Sequence, residues 1–228
     1  MGRPPGPVVQ RPRHGVLGRY LLDGERTLTA VPQPWAQMAE PGAPVRAVRS
    51  PAAARLVICL CLVDAMMYLR SGLDRVCYVQ VADRYRVHFL AGDQTVELFP
   101  AFASGIAAFK QDGYLMAVAT GKSRRGLDRS LSATGLAACF HASRCADEGF
   151  PKPHPEMLQV LMESLGTSAE RTLMIGDTTH DLQMAQNAGV CAIAVDYGAH
   201  STRELAGMNP LGLVSSFGQL MQWLKQNG

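Results

Sequence analysis

The stretch Leu173-Met174-Ile175-Gly176-Asp177-Thr178-Thr179-His180-Asp181 joins a short apolar run to two carboxylates four residues apart. A short apolar run between polar flanks reads as a buried strand. The segment that follows, DLQMAQNAG (181–189), reads as a helix closed by Gly189. The stretch is therefore a strand-to-helix junction with acidic groups at the carboxyl end of the strand.

Outward from this junction the pattern repeats. Downstream, VCAIAVDYG (190–198) reads as a strand, STRELAGM (201–208) as a short helix, LGLVSSF (211–217) as a weak strand and FGQLMQWLKQ (217–226) as a terminal helix. Upstream lie a helix in HPEMLQVLMESLG (154–166), with Met157, Val160, Leu161 and Leu165 on one face, and a short strand in CFHASR (139–144). Before these come a helix in SRRGLDRSLSATG (123–135), a buried strand in YLMAVAT (114–120) and a helix in AFASGIAAFKQDG (101–113). Strand–helix alternation with continuously apolar strands predicts an α/β fold built on a doubly wound parallel sheet.

The chain divides unevenly before residue 99. Residues 1–55 hold nine of the fourteen prolines and eight arginines. The prolines interrupt nearly every candidate element. Only GVLGRYLL (15–22) resembles a strand there, and 23–55 reads as loop or disorder. Residues 56–98 read as helical, in LVDAMMYLRSGL (62–73) and DRVCYVQVADRYRVHFLAG (74–92). The predicted organisation is an aberrant amino end over 1–55, a small helical unit over 56–98 and an α/β core over 99–228.

Bulk properties exclude several classes. With 47% hydrophobic and 18% charged residues, the chain has an ordinary globular composition. A net charge of +3 with no basic run interleaved with aromatics argues against a nucleic-acid partner. The apolar run Leu56–Val63 has eight residues, against about 20 for a membrane span, and the first residues lack the apolar core of a signal peptide. The six cysteines include no C-x-x-C pair and read as free thiols in a reducing cytoplasm. Composition leaves monomer and homodimer equally open.

Three polar clusters stand at predicted strand ends or in the loops leaving them. They are Thr120-Gly121-Lys122-Ser123, Pro151-Lys152-Pro153-His154-Pro155, and Gly176-Asp177 with Asp181. Ligands of doubly wound sheets bind at such ends. A hydroxyl with backbone donors, an ammonium and two carboxylates suit a phosphate group bridged to a hard cation such as Mg²⁺, which needs only one or two carboxylates beside its waters. The partner this implies is a small phosphorylated metabolite.

T-G-K-S, then K-P-x-P, then G-D-x-x-x-D, in this order, resembles the haloacid dehalogenase superfamily and its phosphoglycolate-phosphatase-like branch. The resemblance covers about residues 60–228, and residues 56–98 then look like that branch's helical cap. It implies Mg²⁺-dependent hydrolysis of a small phosphomonoester, phosphoglycolate-like or a sugar phosphate. Thr120 would hydrogen-bond the transferring phosphoryl group, with Gly121 and Lys122 beside it. Lys152 would neutralise that group and orient the nucleophile. Asp177 would bind Mg²⁺ directly, and Asp181 directly or through water. A non-catalytic phosphate- or partner-binding relative, and a mutase, are the other readings.

Plainer readings attach to the same residues. Gly121-Lys122-Ser123 could end a nucleotide-binding loop, but Met116 stands where that loop needs glycine. Asp177 could be only a helix N-cap. His154 and His180 read as solvated loop residues. Arg124, Arg125 and Arg129 fit either an anion site or a solvated helix face.

The resemblance also implies D-x-D-G-T after the first core strand, whose first aspartate attacks phosphorus and whose second is the acid and base. No such motif lies within residues 1–55. The nearest match is Leu21-Leu22-Asp23-Gly24-Glu25. If Asp23 stands at the second aspartate, Leu21 takes the nucleophile's place, and leucine cannot attack phosphorus; Asp23 as nucleophile would place Glu25 at the acid/base position, with Arg26-Thr27 where Gly-Thr belongs. The composition of this end is what a GC-rich gene yields out of frame. A missing strand would leave the sheet without its centre, unless 15–22 substitutes for it, and would leave turnover impaired.

Overall fold

The computed structural model describes residues 19–23, 62–69, 77–78, 98 and 101–227. The elements are β1 (Arg19–Asp23), α1 (Leu62–Leu69), α2 (Phe102–Gln111), β2 (Leu115–Thr120), α3 (Arg124–Thr134) and β3 (Ala142–Cys145). There follow α4 (Glu156–Ser164), β4 (Thr172–Gly176), α5 (Thr179–Asn187), β5 (Cys191–Val195), α6 (Thr202–Ala206), β6 (Gly212–Val214) and α7 (Phe217–Asn227). The six strands form one sheet, parallel at every pairing, in the order β3-β2-β1-β4-β5-β6. The chain adds β2 and β3 on one side of β1, then returns to add β4, β5 and β6 on the other. That reversal makes the carboxyl end of β1, between β2 and β4, the ligand position of the fold.

Successive strand residues point to opposite faces, so strands covered on both faces must be apolar throughout. Leu173 and Ile175 of β4, with Ile193 and Val195 of β5, pack under α2 and α7 against Phe102, Ile106, Phe217 and Leu220. Met174, Ala192 and Ala194 face the other layer, against Leu158 and Leu161 of α4 and Leu182 and Ala185 of α5. The result is the predicted doubly wound α/β sandwich. Burial of each large apolar side chain in these two layers contributes on the order of 1.5–3 kcal/mol.

The central strand comes from the proline-rich amino end. Residues 19–22 of the strand expected over 15–22 lie in β1, which runs one residue further to Asp23. Leu21 stands opposite both Ala117 of β2 and Met174 of β4. The segment therefore does substitute for the first core strand.

Three expectations need adjustment. Of CFHASR (139–144), Cys139 ends a 3₁₀ turn that begins at Ala137, and the strand begins at Ala142. His141 N donates to Met116 O (2.7 Å) and Met116 N to His141 Nδ1 (3.2 Å), so the side chain takes part where a ladder would need backbone alone. The apolarity of Cys139 and Phe140 reflects packing against the core beneath them. On α4 the buried residues are Met157, Leu158, Leu161 and Met162, with Val160 and Leu165 only half-buried. Of the helix expected over 62–73, Leu62–Leu69 is helical and 70–73 lie outside the described residues. The helix expected over 74–92 lies, apart from 77–78, outside the described residues; of the loop expected over 23–55, Asp23 instead ends β1, held in the ladder opposite Ala119, and 24–55 lie outside the described residues.

Candidate active site

The opening stretch folds as a junction whose polar groups satisfy one another. Thr178 caps α5: its Oγ1 accepts from Asp181 N (3.3 Å), while Thr178 N and Oγ1 donate to Asp181 Oδ2 (3.1 and 2.6 Å). This is a capping box, signalled by the T-x-x-D spacing. The cap is thus Thr178, and Asp177 is released from that role. Asp177, Thr178 and Asp181 are all fully buried. A Cβ on Gly176 would lie 2.3 Å from Asp181 Cβ, so only glycine permits this packing.

Lys152 meets this junction from the loop between β3 and α4. Its Nζ donates to Asp181 Oδ1 at 2.6 Å, and both side chains are 0% exposed. The Lys152–Pro153 peptide is cis. The second and third polar clusters are therefore one ion-paired unit. A buried pair of this kind is costly to break because the survivor is left charged and dry.

The first cluster ends β2. Thr120 is fully buried, and its Oγ1 accepts from Lys122 N (3.1 Å). Gly121 and Lys122 are half-buried. Lys122 Nζ donates to Ser130 Oγ on α3 (2.9 Å), and Ser123 caps that helix by accepting from Gly126 N (3.3 Å). Asp23 ends β1 at the register position opposite Ala119, one residue before Thr120. Backbone placement thus sets Asp23 between the strand ends that carry Thr120 and Asp177.

A fourth segment, absent from the sequence reading, holds Asp177. After β5 the chain folds back over the β4 end. Ala199 N donates to Asp177 Oδ2 (2.6 Å) and His200 N to Asp177 O (3.1 Å). Thr179 N donates to His200 Nδ1 (3.1 Å), tying α5 to the same segment. A Cβ on Gly198 would fall 2.1 Å from Asp177 Oδ2, so the backbone sits directly on the carboxylate. Burial, then the carboxylates of Asp177 and Asp196, push the Tyr197 phenol up. The only sequence signal was a glycine soon after an apolar strand, which is too common to single out.

The remaining candidates are placed as follows. His154 is exposed and stacks on Phe150 at 4.4 Å between ring centroids. His180 is half-buried, edge-on to His200 at 5.6 Å. Arg125 and Arg129 are exposed on α3. Arg124 fits neither expected role: it is engaged by Glu148, through Nε to Oε1 (2.9 Å) and Nη2 to Oε2 (2.8 Å). Burial pushes the Cys145 thiol up to about 12, partly offset by nearby Arg124. Cys77, Cys139, Cys145 and Cys191 are free thiols. Among the described residues no helix is long and apolar enough to cross a membrane.

The donor set can be tested against a hard cation. Among the described residues no group of three or more His, Cys, Asp or Glu could hold a metal. Mg²⁺ asks for less, since one or two carboxylates with waters suffice. Both Asp181 oxygens are engaged, Oδ1 by Lys152 and Oδ2 by Thr178. Asp177, held through one oxygen by the backbone of Ala199, is the carboxylate whose chemistry suits direct ligation. The donor chemistry of these residues is therefore compatible with Mg²⁺, which Asp177 would hold.

Known proteins resemble this chain in sequence and in fold. A probable phosphatase, IndB, from Dickeya dadantii is 42% identical over 125 residues, 54% of this chain and 54% of its own length. A phosphoglycolate phosphatase from Mesorhizobium japonicum is 33% identical, with 54% of each chain covered. The chain thus spans about half the length of these curated relatives. The crystal structure of a predicted phosphatase from Clostridium acetobutylicum superposes with a TM-score of 0.77 at 21% identity, over 93% of this chain and all of that one. Residues 53–195 match the haloacid dehalogenase-like hydrolase family, and with the ordered polar clusters standing at the switch point of its sheet, the chain belongs to that family.

Proposed function

We propose that this protein carries a Mg²⁺-dependent site for a small phosphomonoester, phosphoglycolate-like or a sugar phosphate, with phosphatase chemistry slowed by its altered amino end. The observation that carries the reading is the buried Lys152–Asp181 pair set against Asp177 at the strand switch point. Thr120 would donate to a phosphoryl oxygen and Lys152 would offset its charge. Mg²⁺, on Asp177, would supply further neutralisation of charge on phosphate.

In this reading Asp23, whose backbone ends β1 beside β2, is the attacking carboxylate. In that step an Asp23 oxygen bonds to phosphorus, the bond from phosphorus to the leaving oxygen breaks, and Glu25 gives that oxygen a proton. Water then attacks the acyl phosphate, Glu25 takes its proton, and orthophosphate leaves. Arg26-Thr27 in place of Gly-Thr supports slow turnover. The reading is of a cytoplasmic protein, in keeping with its free thiols.

Beryllium fluoride trapping with Mg²⁺, on the wild type and Asp23→Asn, tests the reading. A stoichiometric adduct lost in the variant supports the enzyme. Mg²⁺ and phosphate binding without an adduct supports the alternative, a non-catalytic binder. Absence of both refutes the site. Translating the coding DNA for residues 1–60 in all three forward frames tests the origin of the amino end, for which an out-of-frame D-x-D-G-T would be decisive.

A further inference from the structure

We propose that the Arg124–Glu148 ion pair is a positioning strap, which fixes the loop carrying Lys152 against the loop carrying Thr120 and so sets the spacing of the two phosphate-binding groups. The inference rests on the phosphate-site reading above and adds the device that holds that site in shape. Arg124 opens α3, four residues after Thr120; Glu148 lies four residues before Lys152. Their contact is a two-bond fork, at 2.9 and 2.8 Å, and such forks fix orientation as well as distance. The fork is itself held. Arg124 Nη1 donates to Ser143 Oγ (2.8 Å), and Glu148 Oε2 accepts from Cys145 N (2.7 Å).

The two loops are joined a second time. Arg124 N donates to Asp147 (2.9 Å to Oδ1), and Ala146 N donates to Lys122 O (3.0 Å). The short span from Glu148 to Lys152 has little freedom left. Phe150 N donates to Glu156 Oε2 (2.6 Å), and a Cβ on Gly149 would lie 2.2 Å from that oxygen. A displaced Glu148 would therefore be transmitted to Lys152 along a short, constrained path. The pair is partly solvated, at 35% and 28% side-chain exposure, and surface pairs of this kind contribute little to stability. Its network of partners is better explained by geometry than by folding energy.

The test uses the full chain and its Glu148→Gln and Arg124→Lys variants. Affinities for orthophosphate in the presence of Mg²⁺, and for Mg²⁺ alone, are measured by titration calorimetry, with thermal unfolding alongside. Each variant should weaken orthophosphate about tenfold, as loss of outer orienting groups commonly does. Mg²⁺ affinity should stay unchanged, because Asp177 is held from the other side by Ala199 and His200. The double variant should weaken phosphate no further, since both changes cut the same link. Wild-type phosphate affinity in folded variants overturns the strap alone. A parallel loss of Mg²⁺ and phosphate affinity, tracking a fall in unfolding temperature, assigns the pair to stability and also overturns it. A wild-type protein that binds no phosphate overturns the phosphate-site reading, and the strap with it.

Discussion

Replacing Asp181 with asparagine removes one charge from a pair that is entirely out of water. Lys152 Nζ and Asp181 Oδ1 lie 2.6 Å apart with 0% exposure on both sides. The ammonium would keep its position and lose its carboxylate. Breaking such a pair from one side costs roughly 3–5 kcal/mol, because the remaining charge stays desolvated. The asparagine oxygen can still accept from Thr178 N, so the helix cap adds at most about 1 kcal/mol to the loss. For a chain of this size each kcal/mol lowers the unfolding temperature by about 2–4 °C, so Asp181→Asn, at roughly 3–6 kcal/mol in all, should melt about 6–24 °C below the wild type. Lys152→Met alone should cost a similar amount. The double variant should recover most of either loss, since an uncharged pair leaves nothing stranded. Urea unfolding of all four proteins, fitted with a common m-value, closes the cycle. A loss below about 1 kcal/mol for Asp181→Asn, or strictly additive losses, would refute the claim that the pair is buried and coupled, since exposed pairs behave in that way.

Leu21→Pro should abolish cooperative folding, because β1 pairs on both sides and proline removes a ladder donor from a central strand; a retained near-ultraviolet circular dichroism spectrum would refute its central placement. Gly198→Ala should displace Asp177 and weaken Mg²⁺ binding at least tenfold, with phosphate binding in the absence of Mg²⁺ little changed, as read by calorimetry. Arg124, first by its hydrogen bonds and then by its charge, holds the Glu148 carboxyl below the usual carboxylate range, helped by Cys145 N–H and Arg144 against the opposing effect of burial. A lowered folded value means that the stabilisation is present above the ordinary glutamate pKa, about 4.3, and is lost as pH falls through the folded value. The wild type should therefore lose more stability than Glu148→Gln between pH 6 and pH 3 in urea titrations; equal losses would contradict this.

The periodicity of short segments was enough to place every α-helix and strand from Phe102 to Asn227, though not the 3₁₀ turns at 137–139 and 169–171, with boundary errors where side chains imitate backbone. His141 is the clearest case: its ring accepts from Met116 N where a strand would have used a carbonyl. The three polar clusters were also legible, because strand ends, turns and caps are local matters of a few residues. The Gly-Asp junction was legible in the stretch 173–181, whereas the plainer reading put the cap at Asp177 and the structure puts it at Thr178.

What the sequence by itself determined is the order of elements, the apolar strands, the family and the three polar clusters at the strand ends. Only the tertiary structure decided that a short strand from the proline-rich amino end fills the middle of the sheet. A strand there is chosen by partners far away in sequence, on β2 and β4, and no local pattern reports them. The same holds for the contacts that shape the site. Lys152 finds Asp181 across 29 residues, Arg124 finds Glu148 across 24, and Asp177 is covered by Ala199 across 22. Each contact joins loops at the same end of the sheet. Their nearness follows from strand order, which sequence spacing does not encode.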